Sequence, residues 1–340
     1  MYTKPKDIFK LLVLLLLQLV TGCKYDMSEN VTKFEWDASE SAPKHYPMEI
    51  IRGEFIYKGE TERGLYIPSG GTLIAGWGRP ISSHVTGEKY KPLPDKLDIT
   101  FFSYAEKQFY HGKFDLPYEN ILKYFQTGVA DNPVQPTYSS IMAGIAPGGI
   151  VAVWVIGTGG YHEVFFGQAE KVTLNPSAAF ALPFESKAQS DEYIHEGLIE
   201  VLKPEEIDDL KTNGIPFGLW ARYRKQYQWD VRLTKEFELT YVDSDYLNGE
   251  RDGDNEGNSG MAVRPVPKEV AFKTVINGER NIFIVTFDEI EIMDAFEKLG
   301  SNNQKVYLEF VPRIPRKSLK ARIYNDKESI TLQKFVSDDW

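Results

Sequence analysis

The side chains able to do chemistry fall into three groups, the sharpest being a single thiol. Cys23 is the one cysteine in 340 residues and follows Val20-Thr21-Gly22. Upstream stand Lys4, Lys6 and Lys10 and then the apolar run Leu11–Val20. Such a run is too short to cross a ~30 Å hydrocarbon core, which takes about 20 helical residues. A basic start, a short apolar stretch and small residues before a cysteine describe a signal peptide whose cleavage site resembles the bacterial lipobox. Residues 1–22 are therefore expected to be removed, and the Cys23 thiol to carry diacylglycerol. No other thiol remains for disulfides, zinc-thiolate sites or cysteine catalysis.

The second group is the run Leu219–Trp229, where Trp220, Tyr223, Tyr227 and Trp229 interleave with Arg222, Arg224 and Lys225. Aromatic rings beside guanidinium groups suit a sugar platform, a protein hot spot or cation–π packing. Trp220, Arg222, Tyr223, Tyr227 and Trp229 are the candidate binding residues. Trp220, Tyr223 and Tyr227 also share helical spacing and Tyr227 and Trp229 strand spacing, so packing between two lobes is the simpler reading. The third group is the acidic loop Asp243–Gly260. Asp252, Asp254 and Glu256 match the start of a calcium loop, but its twelfth position is Val263 in place of the bidentate Glu, so an EF-hand is not supported and a solvated hairpin tip is favoured over calcium.

Elsewhere the chemistry thins out. His45, His84, His111, His162 and His195 are scattered without metal-ligand spacing, and the chain lacks G-x-S-x-G, H-E-x-x-H and G-x-x-x-x-G-K-[ST]. No cofactor is indicated, and a non-enzymatic role is favoured over a hydrolase with no recognisable motif. Lys and Arg total 39 against 49 Asp and Glu, a net charge of −10. Loss of Lys4, Lys6, Lys10 and Asp7 with the leader makes the remainder two units more acidic. Phosphate backbones would be repelled by that surface, so no nucleic-acid partner is expected.

These groups must be held by a framework that the sequence describes as α+β and mostly antiparallel. Residues 23–47 are polar without sustained period and read as a flexible tether. Strand signals then dominate: 49–58, 97–110, 140–146, 150–156, 163–174, 227–242, 269–275, 281–287, 304–311, 320–323 and 329–335. Turn pairs His111-Gly112, Gly148-Gly149, Gly159-Gly160 and Asn277-Gly278 punctuate them. Three short helices are expected, over Pro117–Thr127, Pro204–Thr212 and Asp288–Leu299, each with an apolar stripe or helix-end signals. Helices one and three sit in similar surroundings, and Asn-Gly-Glu-Arg occurs at 248–251 and 277–280. Two similar lobes, 48–190 and 191–340, or one continuous domain are both consistent with this.

Three runs carry a family resemblance: Ile145–Gly160 (IAPGGIVAVWVIGTGG), Phe217–Trp229 and Tyr246-Leu-Asn-Gly-Glu250. In that order they resemble the domain-of-unknown-function 2931 family of bacterial lipoproteins, with coverage expected over nearly the whole processed chain. The resemblance implies a Gram-negative envelope lipoprotein and supplies no catalytic residues. Lys24 stands where an Asp would retain the chain at the inner membrane, so the outer membrane is expected, with periplasmic face and cell surface both open. The expected partners are the membrane, through the lipid on Cys23, and an envelope or secreted protein. A toxin neutralised by an immunity protein is one form of this, by analogy with other envelope lipoproteins. Glycan binding through the tryptophans is the alternative.

Overall fold

The computed structural model describes residues 31–82, 86–127, 137–234, 237–253, 260–276, 278–313 and 318–339. Cys23, His84, Asp254 and Glu256 lie outside them. The first half runs β1 (Lys33–Phe34), β2 (Asp37–Ser41), β3 (Met48–Tyr57), β4 (Gly64–Tyr66), β5 (Lys91–Pro92), β6 (Pro94–Ser103) and β7 (Gln108–Asp115). It continues through α1 (Tyr118–Gln126), β8 (Tyr138–Ala146), β9 (Ile150–Gly157), β10 (Gly160–Gln168) and β11 (Glu170–Val172). A helical connector follows: α2 (Pro176–Ala179), α3 (Lys187–Ile199), α4 (Pro204–Asn213) and α5 (Leu219–Tyr223). The second half holds β12 (Gln226–Leu233), β13 (Glu238–Tyr246), β14 (Ala262–Pro265), β15 (Pro267–Ile276) and β16 (Glu279–Phe287). It ends with α6 (Glu289–Leu299), β17 (Val306–Arg313), β18 (Ser318–Tyr324), β19 (Ser329–Thr331) and β20 (Phe335–Asp339).

Each half is a two-sheet sandwich, and the two share one connectivity apart from the edge strands β4, which pairs with β3, and β14, which pairs with β12. In the first, β10-β9-β8-β2 faces β11-β7-β6-β3-β4; in the second, β19-β18-β17-β12-β14 faces β20-β16-β15-β13. The first strand of each half pairs parallel with the strand after the helix, β2 with β8 and β12 with β17, and the other pairings of these four sheets are antiparallel. The helices α1 and α6 hold equivalent places, each carrying the chain from one sheet to the other. The repeated Asn-Gly-Glu-Arg does not mark this symmetry. Its first copy follows β13, and its second spans the β15–β16 turn.

The halves are fused by β8 and β9. Their near-continuous apolar sequences read as strands buried on both faces. Ile141, Ala143, Ile145, Val151, Val153 and Val155 point into the first sandwich, whereas Met142, Ala146, Ala152, Trp154 and Ile156 belong to the core of the second. Trp154 and Trp77 meet edge to face with centroids 5.0 Å apart, over Gly144, where a Cβ would come within 2.4 Å of the Trp154 ring. Nearby, Gly78 (φ 76°) and Gly249 (φ 87°) touch backbone to backbone; a Cβ on Gly78 would lie 2.1 Å from the Gly249 Cα. Only glycine fits such a contact in left-handed conformation.

Several sequence expectations are corrected. Residues 37–41, expected within a flexible tether, form β2, with Ser39, Glu40 and Ser41 buried. Their polar character hid the strand. Ser41 Oγ donates to the Gly76 carbonyl at 3.0 Å and Ser82 donates to Glu40 at 2.7 Å. The stretch 97–110 splits at a turn over 104–107, where Lys107 has φ 52°, and His111-Gly112 lies inside β7. The stretch 227–242 splits into β12 and β13, which belong to different sheets. Among the described residues six helices stand where three were expected. In α3 the missed signal was the N-terminal pairing of Ser186, which accepts from Gln189 N at 3.3 Å, with Gln189, which accepts from Glu185 N at 2.6 Å; only Ser190 and Ile194 are buried on it, so it lacks an apolar stripe.

Trp154→Ala is expected to cost ~3–5 kcal/mol through the cavity left between both cores, and Gly144→Ala ~1–3 kcal/mol through overpacking. Urea denaturation measures both.

Candidate functional site

The run Leu219–Trp229 enters the interior rather than presenting a platform. Trp220 is 1% and Trp229 0% exposed. Trp220 packs against Tyr46 (5.7 Å) and Trp77 (6.4 Å), Trp229 against Phe296 (5.5 Å), with its indole N–H donating to the Pro265 carbonyl at 3.0 Å. Tyr223 is buried and donates to Glu289 at 2.5 Å, and its hydroxyl pKa is raised by burial and by that carboxylate. Tyr227 lies on Phe296 at 5.7 Å. Neither indole is open to a ligand, and the rings join the end of the helical connector to the second core.

Arg222 is spent on α6. Its guanidinium donates to both Glu297 oxygens (2.8 and 3.0 Å) and to Asp294 (2.5 Å), and Lys225 reaches Glu297 at 2.9 Å. Hydrogen bonding to Arg222 lowers the Glu297 carboxyl to about 2. The pairing is bidentate, the strongest form of guanidinium–carboxylate contact.

The less occupied chemistry lies along the seam where β10 meets the turn after β13. Arg251 forms backbone bridges with both Tyr161 and Asp245, closing the gap between the two sheets. Its side chain pairs with Asp245 at 3.1 Å and Asp243 at 3.6 Å; burial raises both carboxyls while Arg251 opposes that rise. Asp252 accepts from the Tyr246 hydroxyl at 2.8 Å, which accounts for one of the three calcium candidates. Asp254 and Glu256 fall outside the described residues, among which no group of three His, Cys, Asp or Glu could hold a metal.

Two open clefts flank this seam. One, of about 400 Å³, is lined by Trp77, Arg79, Tyr161, Glu250, Arg251 and Glu269 among others. The other, of about 410 Å³, is lined by Asp115, Leu116, Pro117, Glu163, Val164, Phe165, Phe166 and Arg224. Glu163 lines the second of them. Its backbone N–H donates to Glu250 at 3.1 Å, and its side chain accepts from Arg224 at 2.5 Å. Arg224 in turn stands 4.5 Å over the Phe166 ring. Burial pushes the Glu163 carboxyl up to about 7, against the opposing pull of Arg224 and with the help of Glu250. A carboxyl perturbed by desolvation and a specific partner in a cleft makes Glu163 the candidate functional position of this seam. Sequence reasoning missed Glu163 because a lone Glu in a strand carries no motif; only the fold brings it to Arg224 and Glu250.

Two outcomes test this assignment. Trp220→Ala and Trp229→Ala should each lower the denaturation midpoint, since both rings are core. Arg222→Ala should lower stability at neutral pH. The deficit should shrink as pH falls from about 4.5 toward about 2, because Glu297, depressed in the folded state, stabilises only while ionised. An acid titration of both proteins reads this.

A search of curated proteins and a search of solved structures each found no match. A family model described as "Protein of unknown function (DUF2931)" matches residues 23–218. The Pro-Gly-Gly hairpin run at 145–160 lies inside that match, the aromatic run enters it only at Phe217 and Gly218, and Tyr246–Glu250 lies beyond it, so the match stops well short of residue 340. More than half of the sequence is nonetheless matched, and the chain belongs to the DUF2931 family.

Proposed function

We propose that this protein is a lipid-anchored bacterial envelope protein whose folded body binds another protein. The anchor rests on the leader and on Cys23 as the sole thiol. Val31 is the first described residue. The eight residue steps from Cys23 span at most ~28 Å at about 3.5 Å each, so the body works close to the membrane surface.

The binding role rests on the exposed face of the helical connector. Glu192, Glu196, Glu200 and Glu205 are exposed on and between α3 and α4 and hold no ion pair among the described residues, next to the exposed carboxylates of Asp208 and Asp209. Exposed apolar side chains interrupt the acidic surface: Leu182 is 37%, Ile199 45% and Phe217 64% exposed. Unpaired charge around apolar points suits a basic protein surface, with the charge accelerating encounter and the apolar side chains holding the complex. A basic secreted toxin neutralised at the envelope is the most specific form of this reading.

The test is crosslinked capture from the cell envelope with the tagged, lipidated protein. A near-stoichiometric protein partner is expected, lost when Glu192, Glu196, Glu200 and Glu205 are changed to Lys. Cys23→Ser should move the protein from the membrane to the soluble fraction. Capture unaffected by charge reversal would overturn the binding face, and retention of Cys23→Ser on the membrane would overturn the anchor.

A further inference from the structure

We propose that the cleft at Glu163 accepts an organic cation, an ammonium or guanidinium group, beside one buried carboxylate and the apolar residues that line the cleft. The observation that carries this is an accounting of the carboxylate's two oxygens. The Glu163 side chain is only 7% exposed. Arg224 occupies Oε1, while Oε2 is buried with no hydrogen-bond partner. A buried polar atom left unpaired costs about 1–3 kcal/mol, more when charged, so the atom calls for a donor.

The surroundings say which donor. The groups facing Glu163 are Arg224 after α5, Glu250 on the turn after β13, and Asp115 at the end of β7. With Glu163 itself these make three carboxylates against one guanidinium, which attracts a positive ligand. Leu116, Pro117, Val164, Phe165 and Phe166 give the lining its apolar part, and Arg224 shows that a guanidinium sits on the Phe166 ring, at 4.5 Å. The cleft is large enough for the head of a lysyl or arginyl side chain and open enough for that side chain to remain part of a macromolecule. Naming a basic protein partner as its source rests on the function proposed above, whereas the cation site itself does not. A free polyamine offers the same chemistry, and the experiment separates the two.

Protonation of Glu163 would remove the attraction. Its carboxyl sits near 7, so in the unliganded protein the fraction ionised falls about tenfold between about pH 8 and pH 6. Binding of a cation should weaken by nearly that factor across the same range. The full-length protein in detergent micelles is titrated calorimetrically with a short neutral-backbone peptide carrying one arginine, with its lysine counterpart, and with spermidine. Expected is binding that weakens about tenfold from about pH 8 to pH 6, and by at least as much at pH 8 in Glu163→Gln. Preference for the peptides assigns the site to a protein side chain, and preference for spermidine to a free polyamine. If Glu163→Gln fails to fold, the pH profile of the native protein decides, with Asp115→Asn expected to weaken binding to a smaller extent.

Absence of binding by all three probes, binding without pH dependence, or full affinity in a folded Glu163→Gln overturns the proposal. The acidic helical face and this cleft share no residues. Capture that survives helix charge reversal while cation binding stays intact therefore overturns the binding face alone, and capture lost on charge reversal in a protein that binds none of the three probes overturns the cation site alone.

Discussion

Everything in this molecule depends on one sheet having no solvent face. Strands β8 and β9 are apolar on both sides, and each side must be covered. One sandwich covers the first. Trp77, Trp220 and the second core cover the other, and this makes two topologically equivalent halves a single packed body. The counterpart strands β17 and β18 show what the alternative looks like. There Val306, Leu308 and Phe310 face inward, while Tyr307, Tyr324, Arg232, Arg322 and Glu309 form a polar and aromatic outer surface. The same strand order thus serves two purposes according to whether the sequence runs apolar throughout or alternates.

The aromatic and basic run at the end of the helical connector follows from that constraint. A sheet with a second apolar face needs a lid, and Trp220 supplies it while Arg222 and Tyr223 tie the lid to α6 through Glu297, Asp294 and Glu289. The seam chemistry follows too. Bringing β10 against the turn after β13 buries Glu163, Asp243 and Asp245, with Arg224 and Arg251 as their ion-pair partners. Buried charge that is incompletely paired costs stability, and at Glu163 the cost takes the form of a carboxyl that titrates near neutrality.

Much of the framework was legible in the sequence for identifiable reasons. The two-faced strands announced themselves as unbroken apolar runs, and α1, α4 and α6 by proline, capping residues and terminal glycine. The packing role of Trp220 and Trp229 could be read from their helical and strand spacing. What stayed hidden lacked a periodic signal. β2 carries polar side chains in a buried strand, and two of them, Ser41 and Glu40, find partners across the fold, at Gly76 and Ser82. α3 has no stripe because it lies on the surface. Glu163 is a single carboxyl whose meaning comes from residues 61 and 87 positions away, a separation that no local pattern encodes. The shared connectivity of the halves was hidden for the same reason, since it resides in pairings and not in repeated residues.

The most direct test of the central claim is differential scanning calorimetry of the folded chain with the Cys23→Ser substitution. If the doubly buried sheet makes the two halves one cooperative unit, a single transition appears whose calorimetric and van't Hoff enthalpies agree. Two resolved transitions, or a calorimetric enthalpy well above the van't Hoff value, would mean that the sandwiches unfold independently and that the shared core does not couple them.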